Sequence, residues 1–464
     1  MIKRLTTPTL VILTLAAAAS VAPAAEHKVS SAADVAKAAA QAQPGDVLVM
    51  TDGAWADQEI QFAAKGDEQN PITLRPQTPG KVVLTGKSSL VVDGEYLVVS
   101  GLSFRDNTAT GDAVKLAGHH NRLTETSIVG GSQYKFFVHL YGHHHRVDHC
   151  YLAEKASENP TFQIEVDKDT PNYDQVDHNH FGHRPPLGKN GGETMRIGYS
   201  GQSQWNSRAT VEYNLYDQCD GEIEIISSKS CENVYRYNTF LNSAGFLTLR
   251  HGHRNVVDSN FFLGKHKTGS GGVRVINEAQ TVTNNYIEGV DKGAFWITSG
   301  IKDGPLVGYT RVKDATIAFN TIVDYAGPAF ELASGLGTSN RTLAPEDVTI
   351  ANNLLSPGNG GTLVKGKEGK YTWTGNVVVG ADAKDDRFKT ADVELKRDEN
   401  GLLTPTKPIP ADGDFSQIKT LTPDLKTIPG NPTVGFAPRS KDHRPLTAAD
   451  VGPSWLPPNA RTTK

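Results

Sequence analysis

Four charged side chains stand where an apolar strand would otherwise run. The segment Gly221-Glu222-Ile223-Glu224-Ile225-Ile226-Ser227-Ser228-Lys229 holds two carboxylates and a lysine, and Gly245-Phe246-Leu247-Thr248-Leu249-Arg250-His251 follows it with an arginine. Side chains alternate faces along a strand, so Glu222 and Glu224 are expected on one face and Ile223 and Ile225 on the other. Phe246, Thr248 and Arg250 likewise share a face, opposite Leu247 and Leu249. Two carboxylates so placed can share a hard cation, since Ca2+ takes oxygen ligands at ~2.3–2.6 Å. Asn190 and Glu193, in the upstream turn Lys189-Asn190-Gly191-Gly192-Glu193, offer further oxygens. An isolated Glu-x-Glu would read as an exposed strand edge paired with arginine. Lys229 and Arg250 tip that balance towards a site.

These segments must be stacked for the chemistry to work, and the chain repeats in a way that stacks them. The pattern apolar-x-x-Asn-x-apolar recurs around Asn179, Asn214, Asn238, Asn260, Asn285, Asn320, Asn353 and Asn376, with weaker copies at Leu102, Thr126 and Cys150. Successive steps are 24, 24, 29, 35, 24, 22, 25, 35, 33 and 23 residues. A base period near the shortest of these, lengthened in places, describes a solenoid with loop insertions. Apolar spacing of two, not three and four, makes each repeat strand-rich. Asn at the turns tolerates a left-handed bend and can bond along a ladder. The expected fold is all-β: a right-handed parallel β-helix with a short N-terminal capping helix over Ser30 to Ala42, opened by a Ser cap. Lys229 and Arg250 are 21 residues apart, close to one coil, so they fall on adjacent rungs. Counting from Gly221, Gly245 and Gly271 aligns Glu224, Thr248 and Arg274 in one column.

Composition sets the compartment. Lys3 and Arg4, an apolar run and Ala-Pro-Ala-Ala make residues 1–25 a secretory signal peptide. Residues 26–384 form the β-helix, and residues 385–464, rich in proline, an irregular cover packed on the last coils. An exported protein, periplasmic or secreted, is expected, with no membrane span. Cys150, Cys219 and Cys231 are too few for a disulfide framework; a Cys219–Cys231 bridge stays open. The net charge of −4 becomes −6 once Lys3 and Arg4 are removed. No nucleic-acid footprint is present, yet Lys229, Arg250, Arg254 and Arg274 concentrate positive charge locally.

The runs NGGETMRIGYS, DGEIEIISSKSCENVYRYNTF and LRHGHRNVVDSNFF, with LYGHHHRVDHCYLAEK earlier, resemble polysaccharide lyase family 6, the alginate lyase and chondroitinase B family. The likeness covers most of the chain after the signal. It implies a parallel β-helix that cleaves uronate-containing polysaccharides by β-elimination. It further implies Lys229 as base, Arg250 as acid, and Asn190, Glu193, Glu222 and Glu224 as the Ca2+ region, with His251 and Arg274 contacting substrate. The triple His143-His144-His145 departs from a more usual polar loop. The chain ends without a second domain, from which a monomer is expected.

Three other functions compete. A β-helical glycoside hydrolase would draw its carboxylate pair from Asp217, Asp220, Glu222 and Glu224 but leaves Lys229 and Arg250 idle. A non-catalytic glycan-binding solenoid would hold no cation and release no product. A zinc site at His143–His145 is disfavoured because neighbours in a strand point to opposite faces. Among substrates the anionic polysaccharide alginate is favoured over dermatan sulfate. The loop cations Arg184, Lys189, Lys292, Lys302 and Arg311 are too scattered for a sulfate cage.

Overall fold

The computed structural model describes residues 24–131, 133–358 and 360–461; the expected signal peptide lies outside them apart from Ala24 and Ala25. Three parallel sheets of 14, 12 and 14 strands run the length of the molecule. Each coil gives one strand to each sheet in turn, as in Val234–Arg236, Thr239–Leu241 and Gly245–His251. Every such strand pairs with its counterpart one coil on. The chain is thus the expected right-handed parallel β-helix, the hand that parallel crossovers adopt.

Inward side chains repeat in register and fill the bore. Val176, Val211, Tyr235 and Val257 succeed one another on one sheet, all buried. On another, Phe181, Tyr216, Phe240 and Phe262 stack face to face at ring separations of 4.7, 4.7 and 4.6 Å. That spacing matches the ~4.7–4.9 Å between neighbouring strands, so each ring meets the next without a gap.

The repeated asparagines form a buried ladder. From Asn179 to Asn376 each Nδ2 donates to the Oδ1 of the next coil's asparagine at 2.9–3.1 Å. The same Oδ1 also accepts the backbone N–H of the asparagine before it. The left-handed bend, however, falls one residue earlier than expected. His178, Tyr213 and Tyr237 carry φ of 53°, 52° and 57°, not the asparagines after them. Asparagine is therefore required for its amide, not for its backbone.

The N-terminal helix spans Ala32–Ala39, with Ser31 Oγ accepting from the Asp34 N–H. It buries Val35 and Ala39, and its Ala32 N–H donates to Gln58 Oε1 at 2.8 Å, just before the strand Glu59–Lys65 that ends the 12-stranded sheet. The C-terminal segment does more than cover the last coils. Lys389–Ala391 extends one sheet, and two hairpins follow. The remainder then runs back along the asparagine turns. Asn431 Nδ2 donates to Asn284 Oδ1 at 2.8 Å, the Gly452 N–H to the His178 carbonyl at 2.8 Å, and Trp455 Nε1 to the Glu125 carbonyl at 2.6 Å. Proline-rich sequence without strand periodicity conceals that docking. All three cysteines are free and buried, so Cys219 and Cys231 are not bridged. Among the described residues no helix is long and apolar enough to cross a membrane.

Candidate active site

The outward face of the 12-stranded sheet carries the chemistry. One rung column reads Lys115, His139, Gln163, Arg196, Ser227, Thr248, Arg274 and Trp296. Glu224 is not in it, contrary to the count from the glycines. The strand Glu224–Lys229 shifts register against Gly245–His251 twice, between Glu224 and Ile226 and again between Ser227 and Lys229. Glu224 pairs with Phe246, and Ser227 takes the place beside Thr248. The same irregularity breaks the expected alternation, since Ile223 is 43% exposed while Ile225 is buried. A bulge re-aims side chains in this way.

Glu193, Glu222 and Glu224 come together, one carboxylate oxygen from each within 4.8 Å of the others. Glycine permits the approach. A Cβ on Gly221 would lie 2.0 Å from the Gly192 carbonyl oxygen, and one on Gly192 would lie 2.4 Å from that of Gly221. Only two bare backbones can touch there, and each is followed directly by one of the glutamates. Beneath the turn lies Arg184, 2% exposed. It is not the loop cation its sequence position suggests. Its Nε donates to the Gly192 carbonyl at 2.6 Å and its Nη2 to the Asn159 carbonyl at 2.9 Å. Asn190 is exposed at the head of the same turn, and no hydrogen bond ties it to the three carboxylates.

Three carboxylates in one buried spot repel. Burial, then Glu193 and Glu224, push the Glu222 carboxyl up to about 8. Arg274 Nη1 meets Glu224 Oε1 at 3.1 Å, and Ser227 donates its hydroxyl to the other Glu224 oxygen. Glu193 Oε2 and Glu222 Oε1 remain buried without a hydrogen-bond partner. Unpaired, converging carboxylate oxygens fit a hard dication.

Lys229 lies against this cluster, Nζ 3.8 Å from Glu193 Oε1. Burial drives its proton affinity below that of an ordinary lysine, with Arg196 and Arg250 adding to the effect and Glu193 and Glu224 opposing it. Its rung partner is His251, whose Nε2 lies 3.1 Å from Ser200 Oγ. Burial, then Arg250 and Lys229, push His251 down to about 3, so its ring is neutral at physiological pH. Arg250 donates to the carbonyls of Val307 and Gly308 at 3.1 and 3.2 Å, and its guanidinium lies 4.0 Å from the Tyr309 ring centre. Arg341 packs on the same tyrosine at 4.7 Å.

Sequence reasoning missed Arg196 and Tyr309. Arg196 sits one rung from Ser227, 3.7 Å from Glu193 and 4.4 Å from the Tyr199 ring. Aligning Met195-Arg196-Ile197 with the neighbouring strands would have found it. Tyr309 arrives on an insertion and has no local signal. The histidines also differ from expectation. His144 has φ of 59°, so the strand has already ended, and His143 and His144 both turn towards His120.

A family model described as Chondroitinase B matches residues 29–419. AlyGC, described as a PL6 family alginate lyase, is 35% identical with a TM-score of 0.82. That match covers 93% of this chain, which spans 59% of the length of AlyGC. A mannuronic acid specific family 6 lyase from human gut microbiota is 34% identical, with a TM-score of 0.71 and coverage of 79% of this chain and 91% of its own. The PL6 polysaccharide lyase Pedsa3628 from Pseudopedobacter saltans is 27% identical, with a TM-score of 0.73 and coverage of 92% and 99%. No curated protein matches the sequence.

Proposed function

The chain belongs to polysaccharide lyase family 6, and from that premise we propose that it is an exported alginate lyase acting by calcium-assisted β-elimination. The observation that carries this is a half-buried lysine held 3.8 Å from a three-carboxylate cluster, with an arginine and a neutral histidine on the adjoining rung. Neither a hydrolase nor a passive binder needs a lysine there.

In this mechanism Lys229, as the neutral amine, takes the proton from C5 of the uronate. Its burial is what makes the neutral form accessible. The electron pair of the C5–H bond becomes the C4–C5 double bond, and the pair of the C4–O bond leaves with the departing sugar. Arg250, fixed by two carbonyls and by Tyr309, meets the charge growing on that oxygen. An arginine holds its proton too firmly to be a ready acid, so its main contribution is electrostatic. Arg274 and His251 contact the sugar. Glu193, Glu222 and Glu224, with Asn190 reaching from the turn, would hold the Ca2+. When bound, the cation would supply positive charge that offsets the negative charge developing as the C5 proton leaves.

Alginate is favoured because two relatives at about a third identity are described as an alginate lyase and a mannuronic acid specific lyase. The Chondroitinase B family match makes dermatan sulfate the second substrate to try. The test is ultraviolet absorbance from the new double bond on each polymer, with calcium or EDTA. A rise on alginate that Lys229→Ala abolishes supports the assignment, and suppression by EDTA supports the cation. A flat trace on both polymers overturns it and leaves a glycan-binding solenoid.

A further inference from the structure

We propose that His120, His143 and His144 form a separate site for a first-row transition-metal dication such as Zn2+, clipping two adjacent coils together. His120 and His144 occupy the same turn position one coil apart, both left-handed at φ of 57° and 59°. Their rings stack 4.7 Å apart, with Tyr96 at 4.6 Å beyond His120 and Tyr173 at 5.2 Å beyond His144. His143 stacks separately on His119 at 4.3 Å and meets His120 and His144 edge-on, at 87° and 83°. The two aromatic columns thus gather three imidazoles from adjacent coils at one place.

The ring nitrogens converge. One from each histidine lies within 4.8 Å of the others, and His143 Nδ1 is 2.9 Å from His144 Nδ1. Two imidazole nitrogens on one tetrahedral zinc lie about 3.3 Å apart, given Zn–N bonds of ~2.0–2.1 Å. Because the coordinating lone pairs lie in the ring planes, a shared metal requires the stacked His120 and His144 rings to tilt towards each other. Among the described residues, the His143–His144 contact is the one hydrogen bond any of the three rings makes. Elsewhere in the molecule His149, His178 and His183 each hold a carboxylate oxygen at 2.8–2.9 Å. Three imidazoles left to one another, without a carboxylate partner, are the donor set of a borderline metal and not of calcium. A fourth position stays open to water, because His144 is exposed.

The site is distinct from the glutamate cluster. His143 follows the strand Val138–Leu140, whereas Glu193 precedes Met195–Ile197, two strands further along the same sheet. Tag-free protein stripped of metal and then saturated with Ca2+, to fill the glutamate cluster, should bind one equivalent of Zn2+ by calorimetry and one of Co2+ with the visible absorption of four-coordinate cobalt. Zn2+ should also raise the thermal midpoint. His120→Ala and His144→Ala should each weaken binding ~10-fold or more, while Glu224→Gln leaves it intact. The exposed His144 can be replaced without touching the core, so loss of binding there is not loss of fold. Absence of saturable Zn2+ binding, or binding that survives the His120→Ala/His144→Ala double change, overturns the proposal.

Discussion

The asparagine turn and the site sheet are built from the same coils and obey opposite rules. Along the turn every amide from Asn179 to Asn353 is buried and bonded to the coil above and the coil below, and Asn376 closes the ladder. On the site sheet, between Glu193 and Arg274, two strand pairs slip in register, three carboxylates crowd together, and four buried polar atoms lack partners: Glu193 Oε2, Glu222 Oε1, Thr248 Oγ1 and Arg274 Nε. Regular stacking can satisfy its own polar groups; a site that must grip a charged ligand leaves some of its own unmet.

Perturbing each region in turn should pull stability and activity apart. The largest effect is expected from Lys229→Ala, which should lower the rate of double-bond formation roughly 10³-fold or more while leaving the unfolding transition in place. A parallel loss of stability would merge the two regions and break the contrast. Next comes Asn285→Ala in the ladder. It removes four buried bonds, to the Val257 carbonyl, to Asn320 Oδ1 and from the backbone and side-chain N–H groups of Asn260, and should cost roughly 4 kcal/mol by denaturant titration, at about 1 kcal/mol per buried bond. Activity per folded molecule should be unchanged.

A change of opposite sign is expected from Glu222→Gln in EDTA. Relief of crowding among the three carboxylates should stabilise the protein by on the order of 1 kcal/mol, while activity with calcium falls. Destabilisation would mean that the cluster is not strained. The smallest effect concerns pH. A neutral Lys229 is the active form and its proton is held more weakly than in an ordinary lysine, so the rate should rise with pH through a limb set below the usual lysine range. His251, pushed down to about 3, is already neutral there. His251→Asn should therefore lower the rate but leave the limb where it was, and a shifted limb would assign the titration to the histidine.

The two regions also differed in how legible they were. The ladder was visible because one residue type recurs at a spacing no other fold explains, although the left-handed position fell one residue early. The site residues Glu193, Glu222, Glu224, Lys229 and Arg250 were identifiable by type and spacing. Their register was not, because the bulge at Ile225 leaves no mark a strand count can detect. Tyr309, which packs on Arg250, and Arg341, which packs on Tyr309, arrive on insertions with no periodicity to align. The C-terminal segment was misplaced for the same reason. A tail that docks by scattered apolar contacts and single hydrogen bonds carries no repeating apolar signature.

That tail changes how the molecule comes apart. A stack of coils held only by neighbours can fray from either end, one rung at a time. Here Trp455 is tied to Glu125 across 330 residues of chain, and Arg461 to Tyr151 across 310. Any coil that peels away beneath the tail must first break contacts made by residues more than three hundred positions later in the chain. The early coils can stack as they emerge, but their lock closes only once Trp455 and Arg461 have followed. Unfolding should then be a single concerted event, as in a compact globule, and not the gradual unzipping of a rod.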